Sequence, residues 1–201
     1  MSNGASGDIN NHDVLGGGDG AKNDRYQHAD RVAARVAAEA YWVWRAVSFG
    51  DAAEMAGAIG EIRPARKPTP SDDDVARAEQ IDKEGGGTMA DRAFARRILR
   101  RREESMTEAA TWVQAIRVGD LALVGVPGEL LVRLGMEIKR RSPFTGTLVL
   151  ELANDSVGYL PDRVAFEEGG YEPEACAFAA GVGELIVDTA VGLLERLHTE
   201  S

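Results

Sequence analysis

Apolar and polar positions along this chain fall into blocks whose period changes several times. Residues 1–24 have no apolar period and are rich in glycine and turn formers, including Gly16-Gly17-Gly18, which predicts a loop. From about Asp24 to Ser48, Val32, Val36, Ala40, Val43 and Val47 recur at three- and four-residue spacing, the pattern of one helical stripe. Tyr41, Trp42 and Trp44 widen that stripe, and Gly50 is a natural stop. Residues 55–63 read as a strand, closed off by Pro64, Pro68 and Pro70. Ser71 ahead of Asp72, Asp73 and Asp74 marks a helix start, with a capping hydroxyl and with acids at the positive end of the dipole. Gly85-Gly86-Gly87 breaks that helix, and a basic helix follows from about Met89 to Ser105.

The second half is more regular. Ala109 to Val118 reads as a strand, Gly119-Asp120 as a turn and Leu121 to Val126 as a second strand, together a hairpin. Pro127-Gly128-Glu129 then opens a helix whose apolar face is Leu130, Leu131, Leu134 and Ile138, running to about Arg141 before Ser142-Pro143 ends it. Thr147 to Leu152 has the length of a buried strand. Asn154 to Glu174 reads as a polar loop with a short helix, and Ala179 to His198 as a final amphipathic helix. The alternation predicts a single α/β domain over 1–201, a mixed sheet layered with helices, with its site at the strand ends.

Composition narrows the function classes. The formal net charge is -10, with 33 acidic and 23 basic residues, so the chain lacks the positive field that a nucleic-acid or anionic-membrane surface needs. Basic residues cluster from Arg96 to Arg102, and we read them as a solvated helix face. Cys176 is the single cysteine, so no internal disulfide forms, and a cytoplasmic chain is the simplest expectation. No apolar run approaches the ~20 residues of a transmembrane segment, and the Gly-, Asn- and Asp-rich start is unlike a signal peptide. No nucleophile elbow, H-E-x-x-H pair, C-x-x-C motif or phosphate-binding loop is present.

Three clusters could carry chemistry. In the first, from Asn3 to Asp13, small residues admit a ligand to the backbone while Asp8, His12 and Asp13 offer metal or hydrogen-bond ligands; it reads equally as a loose terminus. The second, Val126-Pro127-Gly128-Glu129, puts a carboxylate where a buried strand ends; it is a metal ligand or an acid in a first helical turn. The third runs from Asn154 through Tyr159 to Tyr171-Glu172. A phenol there can ligate a metal or donate to an oxyanion, or simply pack as an anchoring ring.

Taken in order, Gly7-Asp8, Pro127-Gly128-Glu129, Ser142-Pro143, Gly158-Tyr159 and Glu168-Gly169-Gly170-Tyr171-Glu172 resemble the neutral/alkaline non-lysosomal ceramidases, in the C-terminal part of their catalytic domain. The resemblance implies a zinc-dependent amidohydrolase that cleaves an N-acyl amide of a sphingoid lipid with metal-activated water. Its zinc is held by two histidines, a glutamate and a tyrosine. By motif position Glu129 resembles the glutamate ligand, Tyr159 the tyrosine ligand, and Tyr171 a tyrosine that supports the reacting carbonyl oxygen. The family's histidine ligands lie well before its glycine-aspartate segment, and His12, His28 and His198 do not match their motifs. A position that carries a catalytic serine in some members is Asn10 here. Three expectations follow. The chain works with ligands from an upstream half, or is a non-catalytic structural or assembly subunit, or uses Asp8, His12 and Asp13 as substitutes. Exposed sheet surfaces would then pair with that upstream hydrolase half or make a homo-oligomer.

Overall fold

Strands β1 (Met55–Ile62), β2 (Thr111–Val118), β3 (Leu121–Gly125) and β5 (Gly146–Leu150) form one sheet in the order β1-β2-β3-β5. The predicted hairpin is present, with β2 and β3 antiparallel, Val118 opposite Leu121 and Gly119 at φ 57° in the turn. β5 instead runs parallel to β3, Leu121 opposite Gly146, so the sheet is mixed as expected. The computed structural model describes residues 2–10, 25–50, 53–103 and 110–200. They form two units, Met1–Ile9 with Glu54–Ser201, and Asn10–Ala53.

In the larger unit, α7 (Val182–Thr199) and α4 (Val132–Arg141) pack on one face of the sheet. Small strand residues on that face, Ala58, Ala115 and Ala122, let α7 approach closely, and a side chain at Gly60 would meet Thr189 Cγ2 at 2.8 Å. Ile186, Leu193, Leu194 and Leu197 of α7 are buried there with Leu134 and Ile138 of α4. Each such side chain stabilises the fold by roughly 1.5–3 kcal/mol.

Helix α2 (Asp72–Glu84) begins at Ser71, whose hydroxyl accepts from the Asp74 N–H in a reciprocal capping box, and ends at Gly85 in the left-handed region. It packs on α3 (Met89–Glu103) with Ala78 and Ala95 buried. The basic α3 face meets counter-charges and carbonyls: Arg96 pairs with Asp82 at 3.0 Å, Arg102 with Asp72 at 2.7 Å, and Arg97 donates to the Ala175 carbonyl at 2.9 Å. The smaller unit contains α1 (Arg25–Ala46), on the predicted stripe, with Trp42, Val43 and Trp44 exposed. No helix among the described residues is long and apolar enough to cross a membrane.

One expected element is corrected. Glu129 does not open a helix; Glu129–Leu130 is a short strand, β4, and α4 starts at Val132. The Glu129 N–H donates to the Gly158 carbonyl at 2.9 Å, so the backbone is held extended against Tyr159–Leu160 (β6). The expected loop from Asn154 to Glu174 contains β6 and two short helices, α5 (Arg163–Glu168) and α6 (Tyr171–Ala175).

Candidate functional site

β4 and β6 pair in parallel, with Glu129 opposite Tyr159 and Leu130 opposite Leu160. The buried Leu130 and Leu160 belong to the core, and Glu129 and Tyr159 are half-buried. Close backbone approach makes this possible: a side chain at Gly128 would collide with the Gly158 carbonyl. Neighbouring hydrogen bonds complete the clamp, Val157 N–H to the Pro127 carbonyl at 2.9 Å and Leu152 N–H to the Gly128 carbonyl at 3.3 Å. Leu152 and Asn154 have φ of 54° and 69°, the two non-glycine residues with positive φ among those described. Asparagine tolerates that region, whereas a bulky leucine there stores strain, a condition that clusters beside functional sites.

The Tyr159 phenol is pushed up to about 12 by burial, then by its hydrogen bond to Glu129 and that carboxylate's charge, with Tyr171 and Glu172 adding to it. It is therefore a neutral O–H shared with a carboxylate. The Tyr171 ring stands edge-on to Tyr159, centroids 5.8 Å apart at 84°. Phe94 of α3 packs on the other partner of this pair, 5.5 Å from Tyr171. Lys67 fixes the end of α6, donating to the Pro173 carbonyl at 2.6 Å and the Glu174 carbonyl at 3.2 Å. Tyr171 remains half exposed, so two phenols and a carboxylate meet where solvent enters.

The remaining sequence candidates separate. Asp8 lies in the same unit, but its Oδ1 accepts from the Val132 N–H at 2.7 Å and caps α4, whose own N-cap residue Leu131 offers no side-chain acceptor. Gly7 is needed beside it, because a side chain there would meet the Glu129 carbonyl oxygen at 2.7 Å. His12 and Asp13 lie outside the described residues, and Asn10 belongs to the smaller unit. His198 sits edge-on to Phe144 at the end of α7, centroids 5.4 Å apart. Sequence reasoning missed two anchors. Ser6 Oγ donates to Glu151 at 2.5 Å, and the buried Thr111 hydroxyl donates to Asp155 at 2.9 Å. Neither pairing leaves a local signal, since partners lie 145 and 44 residues apart.

No family model matches the chain, and no curated protein does. Among solved structures, neutral ceramidase from Pseudomonas aeruginosa matches 97% of this chain with a TM-score of 0.59 at 18% identity. The fold is that of a part of neutral ceramidase. The chain spans 37% of the length of that ceramidase structure. A ceramidase complexed with C2 matches 45% of this chain and 15% of its own at 20% identity and a TM-score of 0.43, too partial to add to the comparison.

The ceramidase likeness poses the question of zinc. Among the described residues no group of three or more His, Cys, Asp or Glu is placed to hold a metal ion. Glu129 and Tyr159 supply two converging oxygens, whereas catalytic zinc takes three protein ligands and water. The described residues do not fit a zinc ion by themselves.

Proposed function

We propose that this chain is the C-terminal portion of a ceramidase-like amidohydrolase. It acts on an N-acyl amide of a lipid or another amine and is completed by ligands from an upstream half. One observation carries the reading: Glu129 and Tyr159, which by motif position resemble the family's oxygen ligands, are register partners in the structure and share a hydrogen bond. The pair supplies the oxygen side of a site whose nitrogen ligands come from outside the described residues. Neutral imidazole supplies much of the zinc affinity, so the pair alone binds weakly. Tyr171, edge-on to Tyr159 and open to solvent, is positioned to support a substrate carbonyl oxygen. Phe94 and Lys67 hold that ring's helix in place.

Elemental analysis after purification without chelator tests this. The chain alone is expected to carry no stoichiometric zinc. Co-expressed with a polypeptide bearing the histidine ligands, it should gain about one zinc per complex together with amide hydrolysis. Glu129→Ala with Tyr159→Phe should remove both. Zinc retained by that double variant would refute the ligand assignment, and stoichiometric zinc in the chain alone would refute the need for an upstream half.

A further inference from the structure

Tyr171 is the first residue of α6, and α6 is five residues long. A helix shorter than about 12 residues is marginal on its own in water, so this one takes its direction from what it touches. Gly170 at its start offers no side-chain cap. Its last carbonyls are those a helix cannot satisfy internally. Here they are met from Glu172 to Ala175. The Glu172 carbonyl accepts the Cys176 N–H at 2.9 Å, Lys67 donates to the carbonyls of Pro173 and Glu174, and Arg97 donates to that of Ala175 at 2.9 Å. Two cations thus stand at the negative end of the helix dipole, delivered from 106 and 78 residues away.

Of the two, Arg97 reaches α6 by a second route. Its guanidinium lies over the Phe94 ring, 6.0 Å from the centroid, and Phe94 packs on the Tyr171 ring. Phe94 and Arg97 are one turn apart on α3, so they share a face of that helix. That face meets the first residue of α6 through Phe94 and the last through Arg97. Neighbouring Arg96 turns instead to Asp82 of α2, 3.0 Å away. The run of arginines that sequence alone reads as a solvated face is therefore divided in its work.

We infer that Arg97 is a positioning residue for Tyr171, fixing where that phenol stands against Tyr159 while touching neither ring. The inference rests on the role proposed for Tyr171. A displacement of about 1 Å in a group that acts on a substrate can cost on the order of a hundredfold in rate, so such a brace matters beyond its share of stability. Arg97 can also be removed without unfolding what lies around it. The chain after α6 is held independently, with the Lys67 N–H donating to the Ala177 carbonyl at 3.1 Å and the Ala179 N–H to the Ala65 carbonyl at 2.9 Å. Loss of the guanidinium therefore frees the tilt of α6 and the Tyr171 ring, and leaves the strands and Lys67 in place.

Nuclear magnetic resonance on the chain alone, with isotope-labelled tyrosine rings, tests it. Tyr159 and Tyr171 are assigned as the signals lost in Tyr159→Phe and Tyr171→Phe. The wild-type chain should show a nuclear Overhauser contact between the two rings, whose centroids stand 5.8 Å apart edge-on. Arg97→Met keeps the aliphatic stem and removes the guanidinium. It should shift the Tyr171 signals and weaken the ring contact by roughly half or more, with an unchanged far-UV spectrum, because the cation no longer holds the Phe94 face. Arg97→Lys keeps a donor for the Ala175 carbonyl and should fall between the two. Arg96→Met removes the neighbouring charge on the same helix and should leave both tyrosines as in wild type. Tyrosine signals and a ring contact unchanged in Arg97→Met overturn the inference. So does an Arg96→Met chain displaced as far as Arg97→Met, since α3 would then act only as a folded whole. The reading needs no metal or substrate, so its failure is distinct from failure of the zinc test.

Discussion

Removing the Asp8 carboxylate should weaken the fold from a position that looks, by sequence, like a loose terminus. Val132 is the first residue of α4, so its N–H is one of the four that the helix cannot satisfy internally. Leu131 at the N-cap gives it nothing, and Asp8 Oδ1 reaches it at 2.7 Å. Losing a side-chain cap costs about 1 kcal/mol, and a carboxylate at this end of the dipole adds about 0.5 kcal/mol at low salt. Asp8→Ala should therefore lose roughly 1.5 kcal/mol, which for a domain of this size lowers Tm by about 3–6 °C. Urea unfolding followed by far-UV circular dichroism reads it as a lower midpoint with an unchanged slope. Asp8→Asn separates the two contributions. Asparagine caps as well as aspartate, so only the dipole share should vanish, and that share should shrink further in high salt. An Asp8→Ala chain within about 0.3 kcal/mol of wild type would refute the capping argument, since even weak caps exceed that figure. If Asn proved as damaging as Ala, the negative charge at the helix end, and not the cap hydrogen bond, would carry the effect.

Two further perturbations probe the site. Tyr159 should ionise near 12 when phenolate absorbance is followed against pH, and Glu129→Gln should bring it part of the way down, leaving the share due to burial. Because the phenol holds its proton more tightly folded than unfolded, its contribution to stability is full below pH ~10 and is lost as pH rises from 10 toward 12; a Tyr159 titration unmoved by Glu129→Gln would mean that the carboxylate and phenol are not in contact. Gly128→Ala should cost about 2–3 kcal/mol in the urea midpoint, because the new methyl group falls on the Gly158 carbonyl oxygen, which is backbone and cannot step aside without parting β4 from β6.

The elements that were legible from sequence are those whose cause is local. The 111–125 hairpin shows its period-two alternation and a left-handed glycine at the turn. The start of α2 is written in four adjacent residues, and α7 in an apolar stripe long enough to exceed chance. The site is different because its causes are distant. Pro127-Gly128-Glu129 followed by an apolar run satisfies the local rules for a helix start, with proline early and an acid in the first turn. What overrides them is the Gly158 carbonyl, which takes the Glu129 N–H and leaves a strand two residues long, too short to show any period. Asp8 was visible as a polar residue but not as a cap, because the N–H it serves lies 124 residues away. Tyr159 and Tyr171 stood out as phenols in a polar loop after a buried strand, and only the resemblance gave them separate roles; the edge-on contact between them depends on α5 turning the chain back so that α6 can present Tyr171. On the proposed reading the site is well built and still lacks ligands, and the contacts around it allow both. The backbone hydrogen bonds that set Glu129 and Tyr159 side by side come from within 126–160, with the short segment around Gly7 bonded to Leu130 beside them. Nothing in that clamp depends on the proposed nitrogen ligands, so on the proposed reading the fold holds the carboxylate and phenol in place before any such ligand joins them.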